Sequence, residues 1–434
     1  MSFLEISMSL ARTWSVTGSQ HIKNSFTRTA LGAAIGLALS ANALAGFPTL
    51  YGKLQLTAGQ YDFEKIAFAP TAVGATTYRH VGATDVTTEL DSFTVESIGS
   101  RLGVQGDFDA AAGVNVFYRV EYGVDADNGT NSNGRELVQR NIFGGLRGDW
   151  GALLAGKNDT PLRSLAGRNG TIVKNGYVPA VQRTDIDRFN EAPLADIGTY
   201  LVGENRVDNV IQYTSPILLG GLEINIAAVQ GEETGVSQGA TNQQDDNDFA
   251  SGQSVSVGYG KTGWFIGAAY ESNVVNSDTL RAIGEVTFGP VKLGAIYQTA
   301  ERHEDYDTLG GFGTFVNATA TTVGAQNGLN PLSEWDGASG TAYKEQDGYV
   351  LNGVWKIAGP WSAKFQYANS TSTPSNETYG DVDLDALAVG LDYALNEATR
   401  LFSYYAEVET QGDAAISTKA TTDNVLTVGL DFRF

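Results

Sequence analysis

The chain has 434 residues, 28 basic against 49 acidic, and carries a formal charge of −21. It contains no cysteine, which excludes disulfide scaffolds, Cys-ligated zinc, iron–sulfur clusters and thiol nucleophiles. The acidic balance argues against a nucleic-acid partner, and 52 glycines with 19 tyrosines, 19 phenylalanines and only 10 prolines point to a large antiparallel β protein rather than a disordered acidic chain.

Residues 1–45 read as a signal peptide that is removed. Lys23 and Arg28 make a small basic region, Ala30 to Leu39 is apolar, and Ala43-Leu44-Ala45 supplies a small-x-small cleavage pattern. The apolar run is shorter than the about 18–20 residues that span a bilayer. The stretch before Lys23 is long for such a region, so a translation start at Met8 or later stays open. Cleavage before Gly46 leaves 25 basic against 48 acidic residues, a charge of −23. The rest of the chain, 46–434, offers no apolar stretch of helical spanning length; if it enters a membrane, it crosses as strands.

Period-two alternation follows in chain order. Leu50, Gly52, Leu54, Leu56 and Ala58 alternate with Tyr51, Lys53, Gln55 and Thr57. Val114, Val116, Tyr118, Val120 and Tyr122 alternate with Asn115, Phe117, Arg119 and Glu121. The pattern returns at Leu222–Ala228, at Trp361–Tyr367 and finally at Leu426, Val428, Leu430, Phe432 and Phe434. Alternation alone also fits a soluble sandwich. The connections decide between the two.

Seven short joints, near 107–113, 148–151, 220–221, 260–263, 289–290, 359–360 and 396–397, alternate with eight long polar stretches. The long ones lie near 64–91, 125–135, 159–205, 231–252, 272–279, 300–346, 371–381 and 410–423. This predicts an all-β fold, a sixteen-stranded antiparallel transmembrane β-barrel with short periplasmic turns and long external loops. An even strand count lets first and last strands pair, so no edge faces lipid. Aromatic residues cluster at strand ends (Tyr51, Phe143, Trp150, Trp264, Phe288, Trp355, Trp361), as interfacial girdles require.

Four segments resemble the Gram-negative general diffusion porins: Tyr51-Gly52-Lys53, Ser100-Arg101-Leu102-Gly103-Val104-Gln105-Gly106, Arg206 to Pro216, and the terminal Gly429-Leu430-Asp431-Phe432-Arg433-Phe434. The resemblance implies a homotrimer in the outer membrane, in contact with lipid and lipopolysaccharide. It implies a water-filled channel for small hydrophilic solutes and ions, with no cofactor and with the third external loop folded into the lumen. Phe434 resembles the terminal signal read by the outer-membrane assembly machinery. In this family a basic barrel wall faces carboxylates on the inward loop. Lys53, Arg101 and Arg206 match the wall positions, and Lys157 stands where the family often has an arginine. Parity independently turns Lys53, Arg101 and Arg206 to the lumen, because charge on the lipid face costs about 2–4 kcal/mol at the midplane. Lys157 shares its parity with Leu153 and needs the strand to end or bulge first. Among the loop's acidic residues, Asp185, Asp187 and Glu191 are chosen as the facing carboxylates; the loop departs from the enterobacterial Pro-Glu-Phe-Gly-Gly pattern.

Two alternatives stay open: a substrate-selective channel of the same architecture, and a surface adhesin or receptor with a closed lumen. An enzyme is not expected, since only His80 and His303 remain after cleavage and neither sits in a recognised catalytic spacing. Asp245-Asp246-Asn247-Asp248 reads as a solvated loop rather than a metal site, and Gly310-Gly311-Phe312-Gly313 as loop flexibility.

Overall fold

Sixteen strands pair in chain order and the last returns to the first. The computed structural model describes residues 48–67, 70–73, 76–79, 86–111, 113–124, 137–166, 186, 188–189, 192–230, 249–275, 277–303, 312–314, 342–374, 381–412 and 420–434. The strands are β1 Thr49–Ala67, β2 in two segments (Val86–Ser97 and Arg101–Ala111), β3 Val114–Val124, β4 Leu137–Gly148, β5 Gly151–Asp159 and β6 Arg206–Thr214. They continue as β7 Leu222–Val229, β8 Gly252–Lys261, β9 Trp264–Val274, β10 Ser277–Phe288 and β11 Val291–Arg302. The last five are β12 Ala342–Ala358, β13 Trp361–Pro374, β14 Val382–Ala394, β15 Thr399–Gly412 and β16 Thr421–Arg433. All neighbours are antiparallel, and β1 pairs with β16 from Lys53↔Arg433 to Asp62↔Asn424. The sheet is closed.

The alternation read from the sequence sorts side chains to two faces. On β1, Lys53, Gln55 and Thr57 are buried inside while Leu50 is exposed. On β16, Val425, Thr427 and Asp431 face inward, and Leu426, Val428 and Phe432 face out. Outward aromatic pairs stand six residues apart on one strand: Trp264 and Tyr270 on β9, Tyr349 and Trp355 on β12, Trp361 and Tyr367 on β13. At about 3.4 Å per residue the two rings are about 20 Å apart along the strand, matched to an apolar band crossed at a tilt. Beyond the upper ring, β14 presents Asp383 and Asp385, which accept from Thr371 Oγ1 (2.6 Å) and Tyr367 Oη (2.8 Å). The wall therefore extends past the membrane.

One long loop of the sequence reading is corrected. Residues 272–279 are not an extended loop: β9 runs to Val274 and β10 starts at Ser277, with Val275 at φ 52°. The polar residues that read as loop (Asn273, Ser277, Thr279) are buried strand positions, and polarity inside a barrel does not mark a loop. A second departure lies in β2, broken at Ile98–Ser100 with Gly99 at φ 65°. Here Ser100 Oγ accepts from Gln55 N (2.9 Å) and donates to Gln55 O (3.1 Å), replacing ladder bonds and shifting the outward series from Val95 to Leu102.

The seam between β1 and β16 depends on a glycine. Gly52 N donates to Phe434 O (2.9 Å) and Phe434 N to Gly52 O (3.1 Å), with the Phe434 ring lying where a Gly52 side chain would stand. A Cβ there would meet that ring and, at 2.9 Å, Arg101 O. Gly52→Val is therefore expected to destabilise the barrel by about 1–3 kcal/mol through overpacking, read as a lower thermal unfolding midpoint of the detergent-solubilised protein. An unchanged midpoint would show that the seam repacks freely.

Candidate functional site

The inward-turned segment between β5 and β6 is built from local signals. After Asp159, Thr160 caps a short helix, α1 Pro161–Leu165, accepting from Arg163 N (3.3 Å), with Pro161 at its first position where the missing N–H is harmless. A second turn, α2 Ile197–Tyr200, is capped by Asp196, which accepts from Gly198 N at 2.8 Å. The two limbs meet: Thr160 N donates to Asn205 O at 3.1 Å. Both are fixed to the β8–β9 wall around Glu271. Asn205 Nδ2 donates to Glu271 Oε2 (3.3 Å), Ser254 Oγ to Glu271 Oε1 (3.0 Å), and Leu162 N to Ser254 Oγ (3.3 Å).

The loop then packs across the inside of the barrel. Leu162, Leu165, Ile186, Phe189, Leu194, Ile197, Tyr200 and Leu201 are buried in one cluster with inward wall residues, among them Phe265, Ile283, Ile296, Val350, Ala368, Ala386 and Tyr404. Burying one such aliphatic or aromatic side chain contributes about 1.5–3 kcal/mol, so this contact dominates the loop's placement. Wall amides and cations satisfy the backbone it brings inside. Asn352 donates to Ile186 O, Gln366 to Ala195 O (2.6 Å), Lys364 to Arg188 O (3.3 Å) and Gln298 to Val202 O (2.8 Å), while Gln346 Oε1 accepts from Val202 N (2.8 Å). These wall residues lie on β11, β12 and β13. Expectation and structure agree that the third loop folds into the lumen.

A chain of ion pairs closes the return limb. Arg281, fully buried, contacts Glu204 at 2.6 Å and donates to Val202 O at 3.2 Å; Arg163 lies 3.8 Å from Glu204 and 3.5 Å from Asp159; Arg206 lies 2.8 Å from Asp159.

The opposite wall carries the basic positions expected from the sequence. Lys53 is buried on β1, in register with Arg101 on β2. Arg101 lies 3.9 Å from Glu121 on β3, whose carboxylate also accepts from Arg140 Nε (2.8 Å) and Tyr51 Oη (2.9 Å). Arg206 reaches Asp159 by a route that parity did not foresee. An extra residue on β6, with Asn209 at φ 54°, shifts the register so that Val207, not Arg206, shares the inner face with Val210. Lys157 is not brought to this group. Alternation on β5 runs unbroken through Leu154, Gly156 and Asn158, leaving Lys157 in register with Ile142 and 2.8 Å from Asp208. Asp185, Asp187 and Glu191 lie outside the described residues, as do His80 and Asp245–Asp248. His303 contacts Asp278 at 2.8 Å. Sequence reasoning passed over Glu121, Arg140, Arg281 and Glu204; each of the three on strands is a charge in an otherwise alternating or apolar run, which was their signal.

Arg281→Gln is expected to loosen the return limb, because Glu204 loses its shortest cationic partner inside the barrel. The measurement is single-channel recording together with limited proteolysis of folded protein: larger current fluctuations and faster cleavage within 160–205 are expected. Wild-type behaviour on both counts would show that the apolar contacts hold the loop alone.

A family model described as Gram-negative porin matches residues 29–413. No curated protein matches the chain. Solved structures similar in fold include an anion-selective porin from Comamonas acidovorans, 17% identical, with 89% of this chain and 99% of that one covered at a TM-score of 0.55. OmpF of Salmonella typhi in complex with daunomycin is 13% identical, with 89% and 97% covered at a TM-score of 0.56. OmpT, an outer membrane protein of Vibrio cholerae in trimer form, is 14% identical, with 89% and 99% covered at 0.50.

Proposed function

The chain belongs to the Gram-negative porin family, and on that premise we propose how its lumen selects what passes. It is a multi-pass β-barrel of the outer membrane, a channel for passive diffusion of small hydrophilic solutes and ions. The reading of its selectivity is that the third loop narrows the lumen from the β9–β16 side, leaving solutes to pass along Lys53 and Arg101, while Arg206 is held by Asp159 at the foot of the loop. The observation that supports this is the buried apolar contact between loop and far wall. A sixteen-stranded barrel is too wide for wall side chains to fill, so an inserted loop is what sets its bore. Asp185, Asp187 and Glu191 are proposed to face the basic wall and create a transverse field that orients dipolar solutes. Lys157 is proposed to contribute charge at the wall's outer end rather than within the constriction, given its pairing with Asp208. The channel works without a cofactor and performs no catalysis, a reading supported by the family. Residues 1–45 are read as a removed signal peptide and 46–434 as the mature barrel. A homotrimer is supported by the trimeric form of one structural neighbour; contact with lipid and lipopolysaccharide is proposed from the outer-membrane location of the family.

Deleting Thr171 to Ala192 is expected to raise single-channel conductance and admit larger solutes. Arg101→Ser is expected to leave the size cut-off nearly unchanged and shift the reversal potential toward cations. The first removes a steric plug, the second only charge. Unchanged conductance and cut-off in a folded deletion variant would place the constriction elsewhere.

Phe434 is proposed as the residue the assembly machinery reads, since it ends the outward series of β16. Phe434→Asp should sharply lower outer-membrane abundance while export across the inner membrane continues. Normal abundance, measured by membrane fractionation, would dismiss that role.

A further inference from the structure

Arg119 stands apart from the ion pairs of the inner wall. It lies on β3, with Gln105 of β2 and Phe143 of β4 as its register partners, one inward position to the periplasmic side of Glu121. Its guanidinium sits between two rings, 5.7 Å from the centre of Tyr51 and 5.8 Å from that of Phe143. Among the described residues its one side-chain hydrogen bond is Nη2 to Gln105 Oε1 at 3.0 Å. Among the described residues, other cations inside the barrel have carboxylates: Arg140 has Glu121, Arg147 has Asp107, Lys364 and Arg400 have Asp392, and Arg188 of the loop has Glu285. Among the described residues Arg119 has no carboxylate within 4 Å, and its buried Nε–H has no acceptor.

An unsatisfied donor on an uncompensated, half-buried guanidinium calls for an explanation. Ring faces strip water from the cation without neutralising it, since a guanidinium is weakly hydrated and stacks on aromatic rings. What it lacks is an oxyanion. Such a partner cannot come from Glu121, which is already engaged by Arg140 and Tyr51.

We propose that Arg119, steadied by Tyr51, Phe143 and Gln105, is a transient binding site for small carboxylate anions in transit, on the periplasmic side of the Arg101–Glu121–Arg140 group. This rests on the reading of the lumen as an open diffusion path. The planar fork suits carboxylate and phosphate alike. Glu121, two residues along the same face and so about 7 Å away, selects between them, because its charge opposes a dianion more than a monoanion.

The test titrates acetate or inorganic phosphate against chloride current through single channels at fixed ionic strength. Wild-type current is expected to fall saturably with acetate, and with phosphate only at higher concentration. Arg119→Gln should raise the half-saturating acetate concentration about tenfold or more. Arg119→Lys should keep the wild-type reversal potential yet bind acetate as poorly as Arg119→Gln, a separation that loss of charge alone would not produce. Equal half-saturation in wild type and folded Arg119→Gln would overturn the site, and tighter saturation by phosphate would overturn its assignment to carboxylates. Folded protein that passes no current would overturn the channel reading instead.

Discussion

Everything in this molecule follows from one constraint: in hydrocarbon, each backbone N–H and C=O must find its partner within the protein. Sixteen antiparallel strands meet it only because the last meets the first, so the whole barrel rests on ten register pairs between β1 and β16. The terminal residue takes part in that closure through its own backbone, exchanging two hydrogen bonds with Gly52. Where the ladder fails, at the break in β2, a serine hydroxyl supplies the missing donor and acceptor.

Closure creates a second demand. A ring of sixteen strands encloses more volume than its side chains fill, and the chain meets this with a segment from its own wall. The loop is treated as a folding unit inside a folding unit. Apolar side chains bind it to the β9–β16 face, while inward amides of β11–β13 satisfy carbonyls that would otherwise be stranded in the interior. The result is asymmetric. One side of the inner wall holds the loop, and the other carries the group of Lys53, Arg101, Glu121 and Arg140.

Fold and strand count were legible because a lipid-facing strand must alternate, and because turns on one side are short. The misread stretch, 272–279, shows the limit of that logic: buried positions such as Ser277 and Thr279 are as polar as any loop, so polarity marks water or a polar partner, not irregular backbone. Parity placed Lys53 and Arg101 correctly. It could not place Arg206, because one extra residue at Asp208-Asn209 inverts the face beyond it, and nothing in the letters marks that insertion. The wall residues that grip the loop were illegible for another reason. Gln298, Asn352 and Gln366 read as ordinary lumen-facing amides until the loop's path is known.

The loop's partners also impose an order of events. Its residues Ile186, Phe189, Leu194, Ile197, Tyr200 and Leu201 share one cluster with Ile296, Val350, Ala368, Leu384, Ala406 and Val425, all of which follow it in the chain by roughly a hundred residues or more. The surface that receives the loop therefore does not exist until the C-terminal half has been laid down. Contacts of such long range are slow to form, and this one must be completed inside a nearly closed cylinder. The seat of the loop is thus among the last parts to be built, and a nascent barrel passes through a stage in which its own insert has nowhere to dock.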